Sequence, residues 1–164
     1  SLLYSKGEYD KAEVQACRVL EGNAKIYGSD HPLTLSSFLL LGNIFASMGN
    51  YEKGEKLFLK SLKGTERVLG CDHPDTLLSM NNMGVLLLWK GDNHGAEELF
   101  RRALERYEKA LGADHPDTLR TLKNLCSVLP ETSEEALTSC QRVQEAYCKV
   151  LGPEHPDTLG VDRD

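Results

Sequence analysis

Cys71-Asp72-His73-Pro74-Asp75-Thr76-Leu77 decides how this chain is read, because it recurs. Close copies stand at Ser29-Asp30-His31-Pro32-Leu33-Thr34-Leu35, at Ala113-Asp114-His115-Pro116-Asp117-Thr118-Leu119 and at Pro153-Glu154-His155-Pro156-Asp157-Thr158-Leu159. Their histidines are 42, 42 and 40 residues apart, and Gly7, Gly49 and Gly91 keep the same step of 42. A period of this length marks stacked supersecondary units, each burying its apolar face only against its neighbours. The chain reads as a repeat array.

Outward from Pro74, the apolar residues Leu77, Met80, Met83 and Leu87 fall at steps of three and four, which is helical spacing. Proline suits a first helical position, where its missing N–H has no partner to lose. Asp75, Asp117 and Asp157 add negative charge to the first turn, which favours the helix dipole. The first helix is predicted to stop at Gly49-Asn50 or Gly91-Asp92, where glycine accepts a left-handed backbone. A second helix is predicted over Tyr9–Ile26, Tyr51–Leu69, Asn93–Leu111 and Ser133–Leu151, closed by Gly28, Gly70, Gly112 or Gly152. The unit is an antiparallel helix–turn–helix pair and the fold class is all-α. The expected divisions are a partial unit at 1–28, mainly its second helix, then 29–70, 71–112, a shortened unit at 113–152, and the start of another at 153–164.

Superposed units give the packing. Small residues recur at Gly42, Gly84 and Cys126 in the first helix and at Ala12, Gly54, Ala96 and Ala136 in the second, where they permit close approach. Larger ones fill the space between: Phe38, Met80 and Leu122; Leu41, Met83 and Leu125; Phe45, Leu87 and Leu129; Phe58 and Phe100. The two-residue shortfall of the third full unit is placed at Leu129-Pro130-Glu131-Thr132, in a turn that absorbs it without disturbing either stripe.

The net charge of −6 argues against a nucleic-acid footprint, which needs a basic patch. No apolar run approaches the roughly 20 residues of a membrane span, and no secretory signal is visible. Five cysteines without paired spacing fit a reducing compartment, so a cytoplasmic location is expected. Both ends cut through a unit, so the chain reads as part of something longer. Apolar residues around Leu2, Leu3 and Val19 at one end, and Val143, Tyr147 and Val150 at the other, are then expected to promote end-to-end association.

Histidines beside acids invite a metal or acid–base reading. Recurrence at the same point of successive units places them about a helix-pair width, ~10 Å, apart, whereas the ligands of one zinc lie about 2 Å from it. They are expected to cap helices. There is no phosphate loop, nucleophile elbow or H-E-x-x-H motif. The expectation is no catalytic residue, no metal site and no cofactor.

The junction L-G-x-D-H-P-D-T-L, the run Asn81-Asn82-Met83-Gly84, and Gly7-Glu8-Tyr9-Asp10-Lys11-Ala12-Glu13 with Gly49-Asn50-Tyr51-Glu52-Lys53-Gly54-Glu55 resemble the tetratricopeptide repeat (TPR), in the 42-residue variety of the kinesin light chain. The resemblance covers essentially the whole chain. It implies a right-handed α-solenoid whose first helices line a concave groove for a peptide of another protein. The residues it places in that groove include Leu39 and Asn43, then Leu78, Asn81, Val85 and Trp89, then Arg120 and Lys123. Asn81 holds the place of a peptide-contacting asparagine of the kinesin light chain, with Leu39 and Lys123 as departures from it. Arg120 and Lys123 beside Trp89 and Leu78 suit a ligand combining acidic and apolar residues. Chaperone-binding TPR domains instead clamp a C-terminal carboxylate. Asn43, Asn82 and Arg120 match three of those places, but Leu39 and Asn124 stand where further bases belong, which disfavours that mode. The acid-before-base pairs Glu52–Lys56, Glu97–Arg101, Glu98–Arg102 and Glu105–Lys109 on the second helices read as a solvated outer face. The function expected is an adaptor or scaffold module. The alternatives are a regulatory or sensor region of a larger multidomain signalling protein making mainly intramolecular contacts, and a spacer without a ligand.

Overall fold

A computed structural model describes residues 2–130 and 132–151, with side chains placed over 8–149. The helices follow in the order α1 (Leu2–Tyr27), α2 (Pro32–Ser47), α3 (Tyr51–Leu69), α4 (Pro74–Trp89), α5 (Asn93–Leu111), α6 (Pro116–Cys126) and α7 (Glu134–Leu151). No strand occurs among the described residues. Each helix packs on the one before and the one after it. In addition, the backbones of α2 and α4 approach more closely than those of α1 and α3 or of α3 and α5. First helices therefore crowd together on the inside of the curve and second helices fan out on the outside. This is an all-α solenoid.

The recurring peptide builds every junction. His31, His73 and His115 are N-caps in extended conformation, each followed by proline at the first helical position. Their Nδ1 atoms accept from the backbone N–H of Leu33, Asp75 and Asp117 at 3.2, 3.1 and 3.2 Å. These histidines do cap helices, satisfying donors that have no partner inside the helix. The threonine of the motif does a second job. Thr34, Thr76 and Thr118 are fully buried, and their hydroxyls donate to the carbonyls of Gly28, Gly70 and Gly112 at 2.7, 2.8 and 2.8 Å. Gly70 and Gly112 close their helices at φ 91°, a backbone conformation that disfavours any side chain. One short peptide thus ends one helix, starts the next and ties the two together.

Within each pair the contact is ring against backbone. Phe58 and Phe100 are at most 1% exposed, and their rings lie over Gly42 and Gly84. Burying each ring contributes about 1.5–3 kcal/mol. In the third pair both equivalents are cysteine, Cys126 and Cys140, so the large partner and the glycine opposite it have changed together.

Two helices depart from expectation. α1 runs unbroken through Gly7-Glu8, where a turn would match Gly49-Asn50. Only six residues precede Gly7, too few to form the facing helix whose packing enforces the turn elsewhere. α6 ends at Cys126 after 11 residues, whereas α2 and α4 have 16. The shortfall is therefore not confined to the turn. Pro130 disfavours helical geometry at Leu129, and no glycine stands where Gly49 and Gly91 do. Leu129 nevertheless stays buried. Gly152 and the final copy of the motif, with the unit expected at 153–164, lie outside the described residues.

Candidate functional site

On the inner face a cavity of about 240 Å³ opens between α2 and α4. Leu39, Leu40 and Asn43 contribute from α2, Leu78 from α4, and Ser61 and Thr65 of α3 form its floor. Its existence follows from one side chain. Thr65 stands where Tyr107 stands one unit later. Tyr107 is 1% exposed, and its hydroxyl reaches the Pro74 carbonyl at 3.3 Å, filling the equivalent space. The floor is polar but satisfied: Ser61 Oγ donates to the Leu35 carbonyl at 3.0 Å and meets Ser79 Oγ at 3.0 Å, while Thr65 donates to the Ser61 carbonyl at 2.9 Å. A guest meets apolar walls there and, at the rim, the exposed Ser36 and Asn43 and half-buried Asp75.

The structure brings Leu39, Asn43 and Leu78 together, and corrects several roles. Leu39 is buried among Ala46, Phe58, Met83 and Leu86, so it is a core residue that shows only an edge to the cavity. Asn81 does not offer a free amide. It is 2% exposed, and its Oδ1 accepts from Asn124 Nδ2 at 3.1 Å across the next first helix. Asn82 bridges the other way, donating to Asn43 Oδ1 at 3.3 Å. The asparagines thus link α2 to α4 and α4 to α6. Val85 is half-buried against the cluster around Phe100 and Leu125.

The expected pairing of Trp89 with Leu78 does not occur. Eleven residues of helix separate them, about 16 Å at 1.5 Å per residue. Trp89 is 49% exposed at the far end of α4. There it packs near Tyr51, ring centroids 6.4 Å apart, in a separate 630 Å³ cleft reached also by Glu52 and Lys90. The two bases are also engaged. Arg120 pairs with Asp117 at 2.8 Å, and Lys123 Nζ lies 6.0 Å over the Tyr147 ring. Their reach for an acidic ligand is reduced accordingly.

Sequence reasoning missed Ser61 and Thr65, because second helices are not expected to reach the inner face. The replacement of a tyrosine position by threonine was the available signal.

A family model for the tetratricopeptide repeat matches residues 35–88, and a second one matches 76–117. The chain is a tetratricopeptide-repeat array. Among solved structures, it is similar to the nearly identical TPR-like repeats of a Podosopora anserina protein described as a kinesin light chain. In two crystal forms of that protein the TM-scores are 0.77 and 0.76 at 23% identity, over 96% of this chain and 75% of that one. It is also similar to BtubC (BKLC) from P. vanneervenii, with a TM-score of 0.67 at 14% identity, over 96% of this chain and 72% of that one. No curated protein matches it significantly by sequence. These likenesses establish the TPR fold, which is that of a protein-interaction repeat module. No helix among the described residues is long and apolar enough to cross a membrane.

Proposed function

We propose that this TPR array is an adaptor that holds an extended segment of a partner protein along the inner face of α2 and α4, with one apolar side chain lodged in the 240 Å³ cavity. The observation that carries the reading is that cavity, walled by Leu39, Leu40 and Leu78 and floored by Ser61 and Thr65. Asn43 at the rim both donates and accepts, matching the exposed N–H and C=O of an extended chain. The solenoid is already ordered before binding, so most of the ordering falls on the ligand alone. Likeness to kinesin-light-chain repeats supports the adaptor role. Asp75 is the charged side chain at the cavity, so the anchoring residue is apolar and its immediate neighbours are neutral or basic.

The test is a peptide array probed with the wild-type chain and with Thr65→Tyr, which copies the residue one unit later. Leu40→Asp, at a half-exposed wall position, serves as a second variant. Binding that weakens at least tenfold in both supports the groove. Unchanged binding in both removes it.

A further inference from the structure

On the outer face, neighbouring second helices are tied by ion pairs. Arg101 of α5 holds both oxygens of Glu135 on α7 at 2.5 and 2.8 Å, and Arg142 of α7 holds Glu108 of α5 at 2.8 Å. Between α1 and α3 the same two places are taken by Cys17 with Lys53 and by Ala24 with Lys60. Neither place has an acid. The loss is part of a pattern along α3. Lys53, Lys56, Lys60, Lys63 and Arg67 follow at steps of three and four, so they share one face, and all five are exposed. The corresponding positions of α5 are Gly95, Glu98, Arg102, Glu105 and Lys109, with Glu105 and Lys109 paired at 2.6 Å. In a chain of net charge −6, α3 alone turns an unbroken positive stripe outward.

These charges are largely uncommitted. Arg67 pairs with Asp30. Among the described residues, none of Lys53, Lys56, Lys60 and Lys63 pairs with a carboxylate, and the expected Glu52–Lys56 pair is not formed. Two lysines lean on α2 instead: Lys53 Nζ is 4.8 Å from the Phe45 ring centroid and Lys60 Nζ is 5.4 Å from that of Phe38. The acids of α3 lie toward its other flank, where Glu55 meets Lys90 at 2.6 Å.

Beside the stripe is a cleft of about 470 Å³, with Leu35 and half-buried Phe38 as its apolar wall and Lys60, Lys63 and Arg67 along its rim. It is open because α3 has Gly64 where α5 has Arg106. A side chain at Gly64 would collide with Leu35. A cleft of this size falls in the range that accepts a large side chain with adjoining backbone.

We propose that this face is a second docking site, separate from the inner groove, for an acidic segment of a partner polypeptide. Carboxylates range along Lys53 to Lys63, and an apolar or aromatic residue enters beside Phe38. The charge complementarity is local to one helix, and the acidic remainder of the chain repels a longer polyanion. A short acidic peptide therefore fits better than nucleic acid.

The probe is a short fluorescein-labelled peptide of glutamates around a central Leu-Phe pair, read by anisotropy against the intact chain. Wild type is expected to bind saturably and to lose most of that affinity near 1 M salt, where the Debye length is about 3 Å. The double variant Lys60→Glu, Lys63→Glu should weaken binding at least tenfold, with an unchanged helical spectrum. Lys109→Glu, on the equivalent face of α5, should stay within twofold of wild type. The proposal is overturned if the double variant binds like wild type, if Lys109→Glu loses as much, or if a glutamine version of the peptide binds equally. It is also overturned if the chain sediments with phosphatidylserine vesicles or duplex RNA more tightly than it binds the peptide. Lys60 and Lys63 do not line the inner groove, so either site can fail without the other.

Discussion

A methyl group added to Gly84 would sit 2.6 Å from Cε1 of Phe100, well inside van der Waals contact. The ring lies flat against helix backbone because no side chain intervenes, and the same contact recurs between Gly42 and Phe58 at 2.5 Å.

Replacing a helical glycine by alanine ordinarily stabilises a helix by about 1 kcal/mol. At Gly84 the collision with Phe100 should reverse the sign and leave a net loss of about 1–3 kcal/mol from overpacking. At Gly22 in α1 nothing lies within 4 Å of the added carbon, so Gly22→Ala should show the ordinary gain. Urea denaturation of the two variants settles the matter. Equal signs would mean that the ring contact does not set the spacing of the pair.

Thr76→Val keeps the shape at a fully buried site but removes the hydroxyl that binds the Gly70 carbonyl at 2.8 Å. An acceptor left without its donor costs about 1–3 kcal/mol. The midpoint of denaturation should fall accordingly. Because Thr76 bridges α3 and α4, hydrogen exchange should quicken on both sides of the junction. A stability change within experimental error would deny the threonine its linking role.

Burial pushes the Tyr107 phenol up from 10.0 to about 12, with Asp117 adding to the rise and Arg120 opposing it. The unfolded chain releases this proton near pH 10 and the folded chain only near 12. Above pH 10 the unfolded state therefore holds fewer protons, and stability falls as pH rises through that window. Tyr107→Phe cannot ionise. Its stability curve should decline less steeply than wild type between those pH values, although at neutral pH it loses the bond to the Pro74 carbonyl. Parallel curves above pH 10 would contradict this.

The ends differ from expectation in which residues they expose. Val143 is fully buried, whereas Val14, Val19 and Ile26 on α1 are 52, 49 and 72% exposed. The side chains of Leu2, Leu3 and Val150 lie outside the described residues. Apolar exposure on α1 should make the 164-residue polypeptide self-associate as concentration rises. Val14→Lys with Ile26→Lys should suppress this in sedimentation equilibrium. A monomer at every concentration would count against it.

What the amino-acid order determined by itself was everything that repeats. The step of 42, the His-Pro caps, the glycine stops and the small residues opposite Phe58 and Phe100 are local or next-neighbour features, and recurrence averages out the noise of any single copy. Tertiary structure decided what differs between copies. Asn81 looks like a groove residue in a superposition, but the fold lays α6 beside it and Asn124 takes its carbonyl oxygen. Thr65 looks like a minor change, but because Tyr107 fills the matching space one unit on, its small size opens the inner cavity. α6 stops early because Pro130 acts on the helix before the turn. The lysines of α3 looked like part of a balanced outer surface, since within one helix acids and bases nearly cancel. Only the placement of α1 and α2 beside α3 shows that the acids lie on one flank and an unpaired positive edge on the other. Charge and cavity depend on which helices are neighbours in space, and a linear period carries that only as far as the units are identical.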